Sequence, residues 1–206
     1  MIAPSIAAFL LAANAAPVPT VEAAPAGPIL LDGRCDDDDW KRATRTTLGH
    51  GYTLLAQASP ISVCLCIVGP ASSYNTLDIY LVDAEERVVD LHVSAQVGQR
   101  YRGADGSWPE YVWGNHVGWY GVAVPFTGFE GEGAARRAAF KRGTAREIEI
   151  RHDAFRDLPW RFRVESRGHE EADGVPASVV YPAGVDPDAR VTWATLALAA
   201  REAAHD

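Results

Sequence analysis

Between residues 108 and 120 the chain places Trp108, Glu110, Tyr111, Trp113, Asn115, His116, Trp119 and Tyr120. Flat rings interleaved with a carboxylate, an amide and an imidazole suit one kind of chemistry. The apolar C–H face of a pyranose rests on the ring, and short polar groups fix its hydroxyls. Trp119 lies in an apolar run toward Val122 and Val124 and is expected in the core. Trp108 sits in a Gly/Ser/Pro loop and Trp113 abuts a turn, so these two are the candidates for exposure. The candidate ligand-binding set is therefore Trp108, Tyr111 and Trp113 for stacking, with Glu110, Asn115 and His116 for hydrogen bonding. Asp78, Tyr80, Asp90 and His92 share the outward face of an expected hairpin; they read either as the lining of a shallow groove or as a solvated sheet face.

No catalytic or metal pattern competes with that set. His169-Glu170-Glu171-Ala172-Asp173 begins like a zinc-protease helix, but it lacks the second histidine and is flanked by Gly168 and Gly174. No Gly-x-Ser-x-Gly elbow and no phosphate-cradling glycine loop is present. A glycosidase needs two carboxylates across a cleft, and Glu147-Ile148-Glu149 does not complete the single-strand motif of jelly-roll glycosidases. Scattered acids such as Asp90, Glu110 and Glu165 would have to converge in space for an enzyme of that kind. Four consecutive Asp, 36 to 39, point in different directions and fit the start of a helical turn better than a calcium site. Cys64-x-Cys66 with a nearby histidine is the weakest of the metal arrangements. No cofactor is expected.

The elements that must position these residues are short β-strands. Leu77, Ile79 and Leu81 alternate with Asp78, Tyr80 and Val82, and the return run Val89, Leu91, Val93 alternates with Asp90, His92, Ser94, across a turn at residues 83–86. Further strands are expected at 29–31, 52–58, 61–68, 160–166 and 191–198. Hairpins are expected for 111–113 with 116–124 across Gly114-Asn115, and for 135–141 with 145–151 across Arg142-Gly143. In the latter, Ile148 and Ile150 point inward and Glu147, Glu149 and Arg151 outward. Short helical turns are expected at 36–43, anchored by Trp40, and at 152–157. Residues 168–188 read as a long polar loop. The expected fold is all-β: a two-sheet antiparallel jelly-roll-like sandwich with one or two short helical turns.

The chain has 206 residues and a formal net charge of −8. That suits one domain and disfavours nucleic acid or anionic membrane surfaces as partners. The local basic excess Arg136, Arg137, Lys141, Arg142, Arg146 and Arg151 reads as solvated strand positions. Residues 1–15 read as a secretion signal, with an apolar run from Ile6 to Ala13 and small residues before Ala16, although no Lys or Arg precedes the run. Residues 16–28 read as a Pro/Ala-rich leader, 29–200 as the sandwich and 201–206 as a tail. The mature chain is thus expected to be secreted or periplasmic, with no inserted segment. Three cysteines fit this: Cys35 paired with Cys64 or Cys66 and one spare thiol, or three buried thiols.

Ile29-Leu30-Leu31-Asp32-Gly33, then Asp39-Trp40 and Ala43, resembles the opening of family 9 carbohydrate-binding modules and their DOMON-like relatives. The hairpin 77–95, the run Arg146 to Ile150 leading to Phe155, and Thr192 to Leu198 fit the same template. The resemblance implies a jelly-roll-like sandwich outside the cytoplasm that binds sugars, or haem in some relatives, with Trp40 and Trp193 as core. The cytochrome-type relatives use Met and His as axial ligands, and the sole methionine here is Met1. Non-catalytic carbohydrate binding is the function implied; the alternatives are an envelope interaction module without a sugar site, and a glycosidase-like enzyme.

Overall fold

The computed structural model describes residues 17–36, 38–70, 76–94, 96–122, 126–140, 145–170 and 176–199. The expected signal at 1–15 and tail at 201–206 lie outside them. Strands come in chain order as β1 (Thr20–Pro25), β2 (Thr44–Gly49), β3 (Tyr52–Ala58), β4 (Ser62–Val68), β5 (Thr76–Val82), β6 (Val88–Val93), β7 (Val97–Tyr101), β8 (Val112–Trp113) and β9 (Trp119–Val122). Then follow β10 (Phe126–Glu130), β11 (Arg137–Phe140), β12 (Ala145–Arg151), β13 (Trp160–Glu170), β14 (Pro176–Tyr181) and β15 (Ala194–Leu198). Helix is confined to the four-residue α1 (His152–Phe155) and to 3-10 turns at Asp38–Trp40, Gly133–Ala135 and Arg190–Thr192.

Thirteen of the described strands form two antiparallel leaves joined into one curled sheet, and β10 and β11 pair with each other in a separate two-stranded sheet. The first leaf runs β8-β7-β6-β5-β13-β15, with β14 also on β13. The second runs β3-β4-β12-β9, with β2 also on β3. Strand β1 is the seam. Its first part pairs parallel with β15, Thr20 to Ala23 against Thr195 to Leu198, and its last two residues pair parallel with Gln57 and Ala58 of β3. The fold is all-β as expected, and its two sheets are continuous through this one parallel strand.

The core lies between the leaves, where period-two alternation sends one side of every strand inward. Leu77, Ile79 and Leu81, Val89, Leu91 and Val93, and Phe162 and Val164 face Leu54, Val63, Leu65, Ile67, Ile148 and Ile150. Both outer faces are also covered. Outside the second leaf, Trp40 packs with Leu55, Cys35, Cys64 and Cys66. Outside the first, Tyr80, Val82 and Val88 meet Trp193, with half-buried Trp108 and Val185 against them. Sealing an indole as Trp40 is sealed contributes roughly 2–3 kcal/mol.

The 77–93 hairpin stands where the alternation put it, and Asp83 explains the turn. Its buried carboxylate accepts the backbone N–H groups of Glu85 and Arg87 and the Arg87 Nε–H, and Glu86 takes a left-handed φ of 61°. Cys35 pairs with Cys66, leaving Cys64 as a buried thiol, so no Cys-x-Cys metal site exists.

Several expectations are overturned. The Pro/Ala-rich stretch contains β1, with Val21 and Ala23 buried, whereas 29–31 forms no strand. Neither turn-marked hairpin forms: β8 pairs with β7, β9 with β12, and β11 with β10, while β12 runs between β4 and β9. The polar loop expected at 168–188 contains the end of β13 and all of β14. The closing strand begins at Ala194, after the 3-10 turn. Ile61, expected on one apolar face with Val63, Leu65 and Ile67, is exposed, and Arg146 and Glu147 are fully buried instead of solvated. Strand β12 is hydrogen-bonded on both sides, and where the N-terminal cover lies over it, at Glu147, the charged side chain has no solvated face, whereas Glu149 is half-buried and Arg151 exposed.

Candidate functional site

The outer face of the first leaf carries two rows of charged and aromatic residues fixed by strand register. One row crosses four strands as Arg163, Tyr80, Asp90 and Arg100. Two residues along, the next row reads Glu165, Asp78, His92, Gly98 and Trp113. Alternation alone would leave these side chains in water. Instead the segment from Trp108 to Trp113 folds back over them.

Tyr111 is the keystone of that cover. Its hydroxyl donates to Asp90 Oδ2 at 2.7 Å and lies 3.1 Å from Asp78 Oδ1. Asp78 Oδ1 also accepts from His92 Nδ1 at 2.6 Å, which places the ring proton on that nitrogen, since a carboxylate only accepts. Arg100 Nε donates to Asp90 Oδ2 at 2.8 Å, and its guanidinium lies 4.1 Å from the Tyr111 ring centroid and 5.0 Å from that of Trp108. Trp108 meets Tyr80 edge-on at 5.6 Å, and Arg163 covers Tyr80 at 4.5 Å. Glu165 joins Arg163 at 2.6 Å and Arg167 at 2.8 Å. The carboxylates of Asp78 and Asp90 are thus sealed beneath rings and guanidinium groups.

Trp113 ends the second row and stays open. Its indole is 51 % exposed. It stands 5.0 Å from the Tyr111 ring and perpendicular to His92 at 5.5 Å. Gly98 lies directly under it: a Cβ there would come within 2.8 Å of the indole. The glycine therefore lets the ring lie flat on the backbone of β7, and neighbouring rings hold it there.

The other expected ligand residues are placed differently. Trp108 is half-buried and belongs to the outer apolar cluster. Glu110 and Asn115 are exposed. His116 is stacked 5.4 Å from buried Trp119, whose Nε1 donates to Gln99 Oε1 at 2.8 Å. The structure brings Trp108, Tyr111 and Trp113 into one arc around Arg100 and His92, while His116 packs on another ring. Arg100 and Gly98 have no signal in the sequence, because the strand containing them lacks apolar alternation.

Burial, reinforced by the Asp78 charge, pushes the Asp90 carboxyl up to about 6, against the opposing pull of the Tyr111 hydroxyl and Arg100. A carboxyl raised in the folded state binds its proton more readily there than in the unfolded chain. Its contribution is full below the unfolded value near 3.8 and is lost as pH rises through about 6. Folding stability is expected to gain about 2–3 kcal/mol from Asp90 between pH 7 and pH 4. Urea titrations at several pH values test this, and Asp90→Asn should flatten that part of the profile.

These features define an all-β sandwich whose one outer face is a charged network roofed by aromatic rings, with a single half-open indole at its edge. Among solved structures the chain is similar to a family 9 carbohydrate-binding module from Caldicellulosiruptor kristjanssonii. Against that module in complex with cellotriose the TM-score is 0.47 at 10 % identity, covering 88 % of this chain and 94 % of the other. Against its complex with glucose the TM-score is 0.48 at 11 % identity, covering 89 % and 97 %. No protein-family model matches the chain, and no curated protein matches it in sequence.

Proposed function

We propose that this chain is a non-catalytic carbohydrate-binding module in which Trp113 carries the sugar ring. The supporting observation is the indole itself: half-open, laid on Gly98 and buttressed by Tyr111 and His92. An exposed ring that cannot rotate away offers a flat apolar surface at little entropic cost. Exposed Glu110 and Asn115, on either side in the sequence, supply the hydroxyl partners. Tyr111 fixes the platform from the side, and Trp108 packs beyond it across Arg100.

The absence of catalysis is argued from Asp78 and Asp90. This close acid pair is buried and held by Tyr111, Arg100 and His92, with no face toward a cleft. Export is argued from the Cys35–Cys66 bridge, which suits an oxidising compartment, together with the signal-like residues 1–15. No described helix is long and apolar enough to cross a membrane.

Affinity electrophoresis and calorimetry against soluble β-glucan, xylan and mannan oligosaccharides test the reading. At least one should bind with a micromolar to millimolar Kd, and Trp113→Ala should weaken it by at least about tenfold, or 1.4 kcal/mol. Trp113→Phe should lose less, and both variants should melt like wild type within a few degrees. Failure of every sugar to bind, or unchanged binding by Trp113→Ala, refutes the proposal.

A further inference from the structure

Away from Trp113 on the first leaf, at the β5–β6 turn, a concavity of about 400 Å³ is lined by Val82, Glu86, Arg156, Pro159, Arg161, Arg190 and Val191. Three guanidinium groups surround it, and Glu86 is the single carboxylate in its wall. In a chain of net charge −8 this is a local inversion of sign. The arginines come from three separate segments: the loop after α1, strand β13 and the 3-10 turn before β15.

Each guanidinium is tethered through Nη1. Arg156 Nη1 reaches Glu86 Oε1 at 3.0 Å and the Asp83 carbonyl at 3.4 Å. Arg190 Nη1 donates to the Glu86 carbonyl at 2.9 Å. Arg161 Nη1 donates to the Trp193 carbonyl at 3.3 Å and to Thr195 Oγ1 at 3.1 Å. Their Nη2 and Nε donors make no hydrogen bond to a described residue. Anchored guanidinium groups with donors left over are matched to a planar oxyanion, which takes two N–H groups of one fork at once. Val82, Pro159 and Val191 give the same concavity an apolar wall, and its volume suits one or two sugar rings and excludes a folded partner.

We infer that this pocket is a second binding site, for a carboxylate-bearing saccharide unit such as a uronic acid. The carboxylate rests on the arginines alone; its attachment to a sugar rests on the carbohydrate-binding reading above. The ring packs on Val82, Pro159 and Val191 while the carboxylate engages the free edges of Arg156, Arg161 and Arg190.

Calorimetric titration of the full chain with galacturonate and digalacturonate, against galactose, acetate and sulfate, tests the assignment. Galacturonate should bind at least about tenfold tighter than galactose, and the Arg156→Gln/Arg190→Gln double variant should lose about that factor. Arg161→Lys, which keeps the charge but not the fork, should weaken binding several-fold. Raising salt to about 0.5 M should weaken binding of the uronates more than binding of neutral sugars. Trp113→Ala should leave uronate affinity unchanged. Equal affinity for galactose and galacturonate, or unchanged binding by a normally melting double variant, overturns the site. Acetate and sulfate binding as tightly as galacturonate overturns its assignment to a saccharide. Neutral oligosaccharides lost with Trp113→Ala, while uronates never bind, would sink this pocket alone and leave the Trp113 site standing.

Discussion

Glu147→Ala should cost about 3–5 kcal/mol of unfolding free energy, among the largest effects of any single truncation in this chain. Glu147 sits in the centre of β12 with no exposure, hydrogen-bonded through its backbone to β4 on one side and β9 on the other. Its side chain is a hub tying the N-terminal cover to the second leaf. Oε1 accepts from Trp40 Nε1 at 2.8 Å, and Oε2 accepts from the backbone N–H groups of Asp32 at 2.9 Å and Gly33 at 2.5 Å. Alanine would strand two buried donors and one half-buried donor, and open a void beside Trp40. Glu147→Gln keeps an acceptor for the indole and should cost less than half as much. Burial also pushes this carboxyl up to about 7, more than its hydrogen bonds pull it down. Its proton is therefore held more tightly when folded, and the associated stability fades as pH rises through about 7. Denaturant curves at pH 5 and pH 8 should show wild type more stable at the lower pH, with the difference reduced in Glu147→Gln. A cost below 1 kcal/mol for Glu147→Ala would show that the Asp32–Trp40 cover is not held by this carboxylate.

Cys35→Ser should cost about 2–4 kcal/mol, the next largest effect. The bridge to Cys66 closes a loop with a sequence separation of 31 and pins the same N-terminal cover to the centre of β4. Cys64, on the same face of that strand, is a buried thiol, pushed up to about 12 by burial and by the Glu149 charge. It is therefore a poor nucleophile, and the native pairing should persist without shuffling. Urea unfolding with and without reductant should separate wild type by the same interval that separates it from Cys35→Ser. Cys64→Ala keeps the bridge and should show the same reductant-dependent shift as wild type, losing only the small packing term. A reductant-independent midpoint in wild type would contradict the assignment.

Much of the fold was legible because alternation is a strong signal wherever one face of a strand meets the core. The hairpin from Leu77 to Val93 and the inward residues Val63, Leu65 and Ile67 follow from it, while the buried Trp40 and Trp193 were implied by the family resemblance. Turn residues were weaker guides. Gly114-Asn115 does mark a sharp bend, with Gly114 at φ 113°, but a bend names no partner strand, and β8 turned to β7. Strand β1 escaped notice because its pairing rests on backbone groups offered by β15 and β3, and Thr-Val-Glu-Ala-Ala-Pro shows little apolar pattern of its own.

The site was legible in composition and illegible in depth. Asp78, Asp90 and His92 alternate with apolar residues as solvated positions do, and nothing local shows that Tyr111 returns to close over them. Trp113 was marked by its place beside a turn, but the glycine that supports it lies fifteen positions away on a strand that sequence reading did not find.

The seam strand has a consequence for how the molecule comes into being. Thr20 meets Thr195, so the hydrogen bonds that zip the curled sheet shut join residues near the two ends of the described chain. Such far-apart contacts pay their loop-closure entropy before any reward arrives, and they are out of reach until β15 has been synthesised. Until then Val21 and Ala23 have no shelter and the edges of β3 and β15 remain unsatisfied, the condition in which β-rich chains stick to one another. Refolding should accordingly be slow and concentration-sensitive, and deleting residues before Thr44 should harm yield more than their small share of the core would imply.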